Sequence, residues 1–288
     1  MTVLAEAYEH LGETHLEFKC CDTSFRIRAM GVRAATATTA ARQTAEELEA
    51  QLDAFSTESA VRRLNDRGAV RNEHVARLVR RGLEYFERTD GAFDIHQGGV
   101  EQKLKAFLRG GGESIPETFA TGTVTVDGDY VSTDVALDLN GLAKGYIVDR
   151  AASALDGLGR RGFVSGGGDM SPPTGPVAIE SPYGDETPLK TLDTDWSVAT
   201  SGSYRRERNG TDHVYDPTTE RIGARHESVT VLARRDCMEA DALATTLAAL
   251  PLSRALSLAE DWDGLEALVV HEGVFHRTGG FQNHVMDA

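Results

Sequence analysis

The sequence is short of the residues that mark several common protein classes. Only three cysteines occur in 288 residues, at positions 20, 21 and 237. They form neither a CxxC pair nor a zinc-finger spacing. Adjacent strand residues point to opposite faces, so Cys20 and Cys21 are expected to diverge and no disulfide framework emerges. Prolines number eight, against 40% hydrophobic and 26% charged residues, which excludes collagen-like, low-complexity and disordered compositions. No apolar run approaches the roughly 18 residues of a membrane helix. The opening stretch MTVLAEAYEHLGETHLEF carries acids where a secretory signal would carry a basic and then an apolar region, so a cytoplasmic chain is expected.

Positive charge is also scarce. Acids outnumber bases 45 to 30, giving a net charge of −15, and only five of the bases are lysines. Such a surface repels phosphate backbones and argues against nucleic-acid binding as the main task. The acids are spread along the chain rather than gathered in a tail, as a solvation device suited to a high-salt milieu would place them. The length is about two typical domains of roughly 150 residues, yet a single unit over 1–288 is expected.

Periodicity supplies the elements. Residues 15–29 alternate apolar and polar on either side of Asp22-Thr23, which predicts a hairpin or bent strand. Ala41, Ala45, Leu48, Leu52 and Phe55 recur at helical spacing over 38–55, and Val75, Leu78, Val79, Leu83 and Phe86 do so up to Arg88, where Thr89-Asp90-Gly91 supplies a stop. TVTV-DG-DYVS at 123–132 and YRRER-NG-TDHVYD at 204–216 are hairpin signals with turns of the primed type. Helices are expected at 141–158 and 238–250, the latter ending before Pro251, and a final hairpin at 265–276. Segment 166–190 gathers Gly, Pro and polar residues and reads as a mobile loop around one short strand. Without strict βαβ alternation, the pattern predicts an α+β chain with mixed or antiparallel sheets and packed helices.

Four segments could carry chemistry. In DLNGLAKGYIVD (138–149) a strand end meets glycine-rich backbone and Lys144 at a helix start. That arrangement suits a phosphate or pyrophosphate, or else Gly141 and Gly145 only permit tight packing beside a solvated lysine. VSGGGD (164–169) lets backbone approach a ligand or simply turns, and it lacks the spacing of a dinucleotide fingerprint. In ATSGSYRRERNGTDHVYDP (199–217), His213 and Asp216 meet only if the chain turns before Pro217. In MEADALATTLAAL, Asp241 and Thr245 lie four apart on one helical face, a carboxylate and a hydroxyl that suit Mg²⁺. The alternative is an acid favoured by the helix N-terminus, with Thr245 bonding back to a carbonyl.

Taken in order, CDTSFRI, FSTESAVRRLN, TDGAFDI, DLNGLAKGYIVDRA, VSGGGDM, VATSGSYRR, HVYDP and VTVLARRDCMEADALATTLAAL resemble the ApbE family of FAD:protein FMN transferases, over about residues 18–250. The resemblance implies an ApbE-like, T-fold-like architecture. It also implies Mg²⁺-dependent transfer of the FMN part of FAD to a threonine of an acceptor flavoprotein, releasing AMP. It places FAD contacts at Ala92, Phe93, Asp94, Asp138, Lys144 and Val214, with Phe55 as a ring beside the flavin or adenine. Metal ligands fall at Asp241, Thr245 and the carbonyl of Gly141, and His213 is the candidate base. Three segments depart from the family pattern: Cys21-Asp22-Thr23 stands for Met-Gly-Thr, Ser56-Thr57-Glu58 lacks the aromatic that usually follows Ser-Thr, with Phe55 as the substitute ring, and His96-Gln97-Gly98-Gly99 stands for Thr-Val-Gly-Pro. Hydrolysis of FAD to FMN and AMP, or flavin binding without catalysis, are the alternatives.

Overall fold

The computed structural model describes residues 12–108, 110, 119–157, 161–184, 187–202, 212 and 214–286. Eight strands form the main sheet: β1 (Glu13–Cys20), β2 (Thr23–Met30), β3 (Arg161–Gly166), β4 (Asp169–Met170), β5 (Ser197–Ser201), β6 (Ser228–Ala233), β7 (Leu265–His271) and β8 (Val274–Arg277). They lie side by side in that order, each antiparallel to the next. The described helices are α1 (Ala34–Leu52), α2 (Ala60–Arg67), α3 (Glu73–Arg88), α4 (Gly98–Leu108), α5 (Asn140–Gly157), α6 (Cys237–Ala249) and α7 (Leu252–Glu260). The architecture is α+β, as the pattern predicted.

α1, α5 and α6 pack against one face of the sheet, over β1 and β2, over β3, and over β5 and β6 respectively. Ile27, Ala29, Val164, Ala199, Val229 and Val231 fill that interface. The alternate residues Val198, Leu232 and Leu268 bury on the opposite face, beneath a short hairpin of 177–179 and 190–192 and Phe281. β6 is therefore covered on both sides, and all six of its residues are buried. It thus buries the polar Ser228 and Thr230 together with its apolar residues.

Most expected elements are present with shifted ends. α1 starts at Ala34 rather than 38, and α6 is N-capped by Asp236, whose side chain accepts from the Glu239 amide. The 124–127 and 130–133 strands turn through Gly128, at φ 56°, and Asp129. Because only the first turn residue has positive φ, the turn is of the II′ kind. Segment 166–190 holds more strand than expected, with β4, 177–179 and the start of 190–192. The 204–216 hairpin expectation falls largely on residues outside those described, and Tyr215–Asp216 pair instead with Arg221–Ile222. α2, α4 and α7 had no predicted counterpart. No described helix is long and apolar enough to cross a membrane.

The expected divergence of Cys20 and Cys21 is overturned. Cys21 and Asp22 form the two-residue turn between β1 and β2, both at positive φ, 55° and 57°. The turn takes Cys21 out of strand alternation, and its sulfur lies 3.7 Å from that of Cys20.

Candidate functional site

The N-terminal half of α5 is the centre of the site. A single glycine lets it approach α6: a Cβ on Gly145 would stand 2.5 Å from the Cys237 carbonyl oxygen and 2.7 Å from Met238 Cα. Asp149, one turn further on, accepts the amides of Cys237 and Met238 at 2.9 and 3.0 Å. Two otherwise orphaned donors at the start of α6 are thus satisfied from α5. Burial and the nearby Asp236 push the Asp149 carboxyl up to about 7.

This contact brings together residues far apart in sequence. Lys144 Nζ lies 3.2 Å from Asp241 Oδ1 on α6 and also donates to Asp169 Oδ2 at the start of β4. The Gly145 amide donates to Asp241 Oδ2 at 3.0 Å. Asp169 and Asp241 are 1% and 5% exposed, so two carboxylates share one ammonium away from bulk water. Burial opposes charge on Lys144, but the two aspartates outweigh it and hold its pKa above the ordinary lysine range. Burial and the Asp241 carboxylate push Asp169 well up, against the pull of Lys144. Asp169 reaches this position because Gly167 and Gly168, both at positive φ, reverse the chain tightly between β3 and β4.

Asp241 is therefore not a helix-start acid; Asp236 fills that role. Nor does Thr245 bond back along the helix. Its neighbour Thr246 does so, to the Ala242 carbonyl, whereas Thr245 Oγ1 lies 3.3 Å from Ser201 Oγ on β5. A carboxylate and two hydroxyls are hard oxygen donors, the set that suits Mg²⁺. Gly141 precedes Gly145 by one turn on α5, and a Cβ there would meet the Phe93 ring at 3.2 Å.

The start of α5 is held by a second polar cluster. Asp138 accepts from the Asn140 amide at 2.9 Å, from Asn140 Nδ2 at 2.7 Å and from the Tyr215 hydroxyl at 2.6 Å. Burial and Asp138 push the Tyr215 hydroxyl pKa well up, so it stays a donor. Asp94 caps the turn at 95–97, accepting from the His96 amide and ring and from Gln97. Although burial opposes it, those donors hold Asp94 below the usual carboxylate range. Asp94 and Asp138 thus spend their oxygens within the protein and brace the loop carrying Ala92 and Phe93, both nearly buried. Val214 is fully buried, with its amide on Asp212 at 2.7 Å and its carbonyl accepting from Gly223. His213 lies outside the described residues. Asp216 accepts from Thr218 and Thr219 within its own turn.

Two clefts flank the Lys144–Asp169 pair. One, of about 270 Å³, is lined by Phe55, Lys105, Asn140 and Lys144 among others. The other, of about 320 Å³, is lined by Thr23, Arg26, Asp169, Glu180 and Thr200 among others. Lys105 Nζ stands 4.9 Å over the Phe55 ring and 2.8 Å from Glu101. Asp169, Ser201 and Tyr215 lie in the noted segments but were not singled out individually, because their partners Lys144, Thr245 and Asp138 are distant in sequence; Asn140 bonds locally to Asp138 and was likewise not singled out.

Comparisons with known proteins agree on one family. A match to the ApbE family covers residues 21–269. The chain is 29% identical to the FAD:protein FMN transferase of Vibrio cholerae, over 75% of this chain and 73% of that protein. It is 27% identical to the Haemophilus influenzae protein of the same name, over 85% and 83%. Its fold matches the crystal structure of the ApbE protein from Thermotoga maritima, with a TM-score of 0.83 at 24% identity over 96% of this chain and 100% of that one. It also matches the apo form of the Pseudomonas stutzeri flavinyl transferase ApbE, with a TM-score of 0.79 at 25% identity over 96% and 98%.

Proposed function

Since the chain belongs to the ApbE family, we propose that it is an FAD:protein FMN transferase, moving the FMN moiety of FAD to a threonine of an acceptor flavoprotein in a Mg²⁺-dependent reaction. The observation that carries this reading is the Lys144 ammonium held between Asp169 and Asp241 at the junction of two clefts. Lys144 is the member of that trio which solvent reaches, at 24% side-chain exposure, so its charge is available to an anionic ligand entering the 270 Å³ cleft that it lines.

Asp241, Thr245 and the Gly141 carbonyl would hold Mg²⁺, which when bound neutralises pyrophosphate charge. Phe55 offers an aromatic face to a flavin or adenine ring. Asp138 and Asp94 act as positioning residues for the start of α5 and the 92–97 loop, and Val214 belongs to the same supporting layer. In the transfer, the acceptor threonine oxygen forms a bond to the FMN phosphorus and the bond from that phosphorus to the AMP oxygen breaks. AMP leaves as an anion next to Lys144, and His213 takes the hydroxyl proton.

The deciding experiment incubates the protein with FAD and Mg²⁺, with and without a flavoprotein domain bearing an acceptor threonine, followed by mass spectrometry of protein and nucleotide. AMP together with an FMN-sized increase on the acceptor is expected. Free FMN formed equally without acceptor would make the chain an FAD pyrophosphatase. Intact FAD in every sample would make it a binding protein.

A further inference from the structure

The β1–β2 turn carries a second constellation, separate from the Lys144 trio. The Cys20 and Cys21 sulfurs are 3.7 Å apart, and one Glu49 carboxylate oxygen joins them, all three ligand atoms lying within 4.8 Å of one another. Bonds of about 2.3 Å from a tetrahedral zinc ion to two thiolates put the sulfurs about 3.8 Å apart. The observed separation is therefore already that of two ligands on one edge of such a site. A disulfide would need the sulfurs to close to about 2.05 Å.

Cys21 sits in the left-handed region at φ 55°, a conformation that non-glycine residues rarely adopt and that here turns its sulfur toward its neighbour. The Cys21 amide donates to Glu49 Oε1, tying the turn to the last turns of α1. Cys20 is buried, with its thiol directed at the Ala45 carbonyl at 3.8 Å, while Cys21 and Glu49 are partly exposed and line the 270 Å³ cleft. One ligand is thus anchored in the core, and two are reached from the cleft.

We propose that Cys20, Cys21 and Glu49 bind one thiophilic divalent cation, with Zn²⁺ as its representative. Two thiolates and one carboxylate form three protein bonds to the ion, water completes the shell, and the two thiol protons are released to solvent. The soft sulfur donors separate this site from the oxygen donors of Asp241 and Thr245, which suit Mg²⁺.

The test uses the reduced full-length chain without flavin, so its outcome is independent of the transferase reading. Zn²⁺ is titrated against a chromophoric chelator, and Co²⁺ is added in parallel to read the thiolate-to-cobalt charge-transfer band. The wild type is expected to take up one Zn²⁺ per chain and to show the band. Cys21→Ser should lose the band and bind at least about a hundredfold more weakly, and Glu49→Gln, which keeps both thiols, should weaken binding about tenfold. Asp241→Asn should leave the band unchanged. Absence of the band in the wild type, or undiminished Zn²⁺ uptake by Cys21→Ser, would overturn the proposal.

Discussion

Lys144 and Asp241 meet twice across the α5–α6 contact: the ammonium lies 3.2 Å from Asp241 Oδ1, and the amide of the next residue, Gly145, lies 3.0 Å from Oδ2. Asp241 is therefore oriented by backbone as well as by charge. With Asp169 on the other side of the same ammonium, two buried carboxyl groups depend on one cation. Removing the ammonium strands two buried carboxylates, and an uncompensated buried charge costs about 3–5 kcal/mol. Lys144→Met should lower stability by that order, and added Mg²⁺ should recover part of it, read as the urea midpoint with and without the ion. An unchanged midpoint would show that the trio is not electrostatically coupled.

Asp241→Ala has the opposite balance. Lys144 retains Asp169 as its counterion, so the fold should persist, while Mg²⁺-dependent turnover of FAD should fall on the order of a hundredfold or more. Turnover and circular dichroism on the same preparation check both halves. Full activity would remove Asp241 from the proposed metal site.

Gly145→Ala tests the approach of α5 to α6. Alanine is favoured over glycine in a helix by about 1 kcal/mol. Here, however, the added methyl meets backbone of the neighbouring helix at 2.5 and 2.7 Å, which no side-chain rotation can relieve. Overpacking should win, with a net destabilisation of about 1–3 kcal/mol. Gly141→Ala is the comparison, since its methyl meets only the Phe93 ring edge at 3.2 Å. Its urea midpoint should fall less than that of Gly145→Ala, and the reverse order would contradict the close-contact argument.

These residues also mark where the sequence is legible. α6 could be read directly: its apolar positions, the acid–hydroxyl pair four apart and Pro251 just beyond its end are all local signals. The 15–29 hairpin was legible for the same reason, but its turn was placed one residue late, and strand alternation was carried into residues that have left the strand, which hid the Cys20–Cys21 contact. Asp169 was part of a noted glycine run, yet its partnership with Lys144 spans 25 residues and depends on how β3 and β4 lie against α5. α2 escaped notice because its eight residues bury only Ala60, Val61 and Leu64, too few for a helical period to stand out. α4 opens with two glycines, and a Cβ at Gly98 would meet the backbone of Ala136 and Leu137 at 2.6–2.7 Å. A helix start dictated by such a tertiary contact leaves no propensity signal.

The far end of α6 supplies a pH dependence. Arg225 and His226 cover its last carbonyls: the Arg225 amide and Nε donate to Ala248 and Ala249, and His226 Nε2 lies 3.0 Å from the Leu250 oxygen. That partner makes Nε2 the protonated nitrogen, so His226 Nδ1 accepts from His271 Nδ1, 3.0 Å away. A second proton on His226 would face that donor inside the protein, with Arg225 also disfavouring it and only Glu227 and the Leu250 carbonyl in support. Burial and His271 accordingly push His226 down to about 4. An unfolded histidine titrates near 6.5, so between about pH 4 and 6.5 the unfolded chain binds more protons than the folded one. The contribution of His226 is therefore complete above pH 6.5 and is lost as pH falls toward 4, by an amount on the order of 1–3 kcal/mol. His226→Gln keeps a donor for Leu250 without titrating. Carboxylates titrate alike in both chains, so the difference in urea midpoint between wild type and variant isolates this histidine. That difference should favour the wild type most at pH 7.5 and shrink steadily at pH 6 and 4.5. A gap that instead widens as pH falls would mean His226 is charged in the folded protein, and the end of the helix bearing Asp241 would then be held by a cation rather than by a neutral ring.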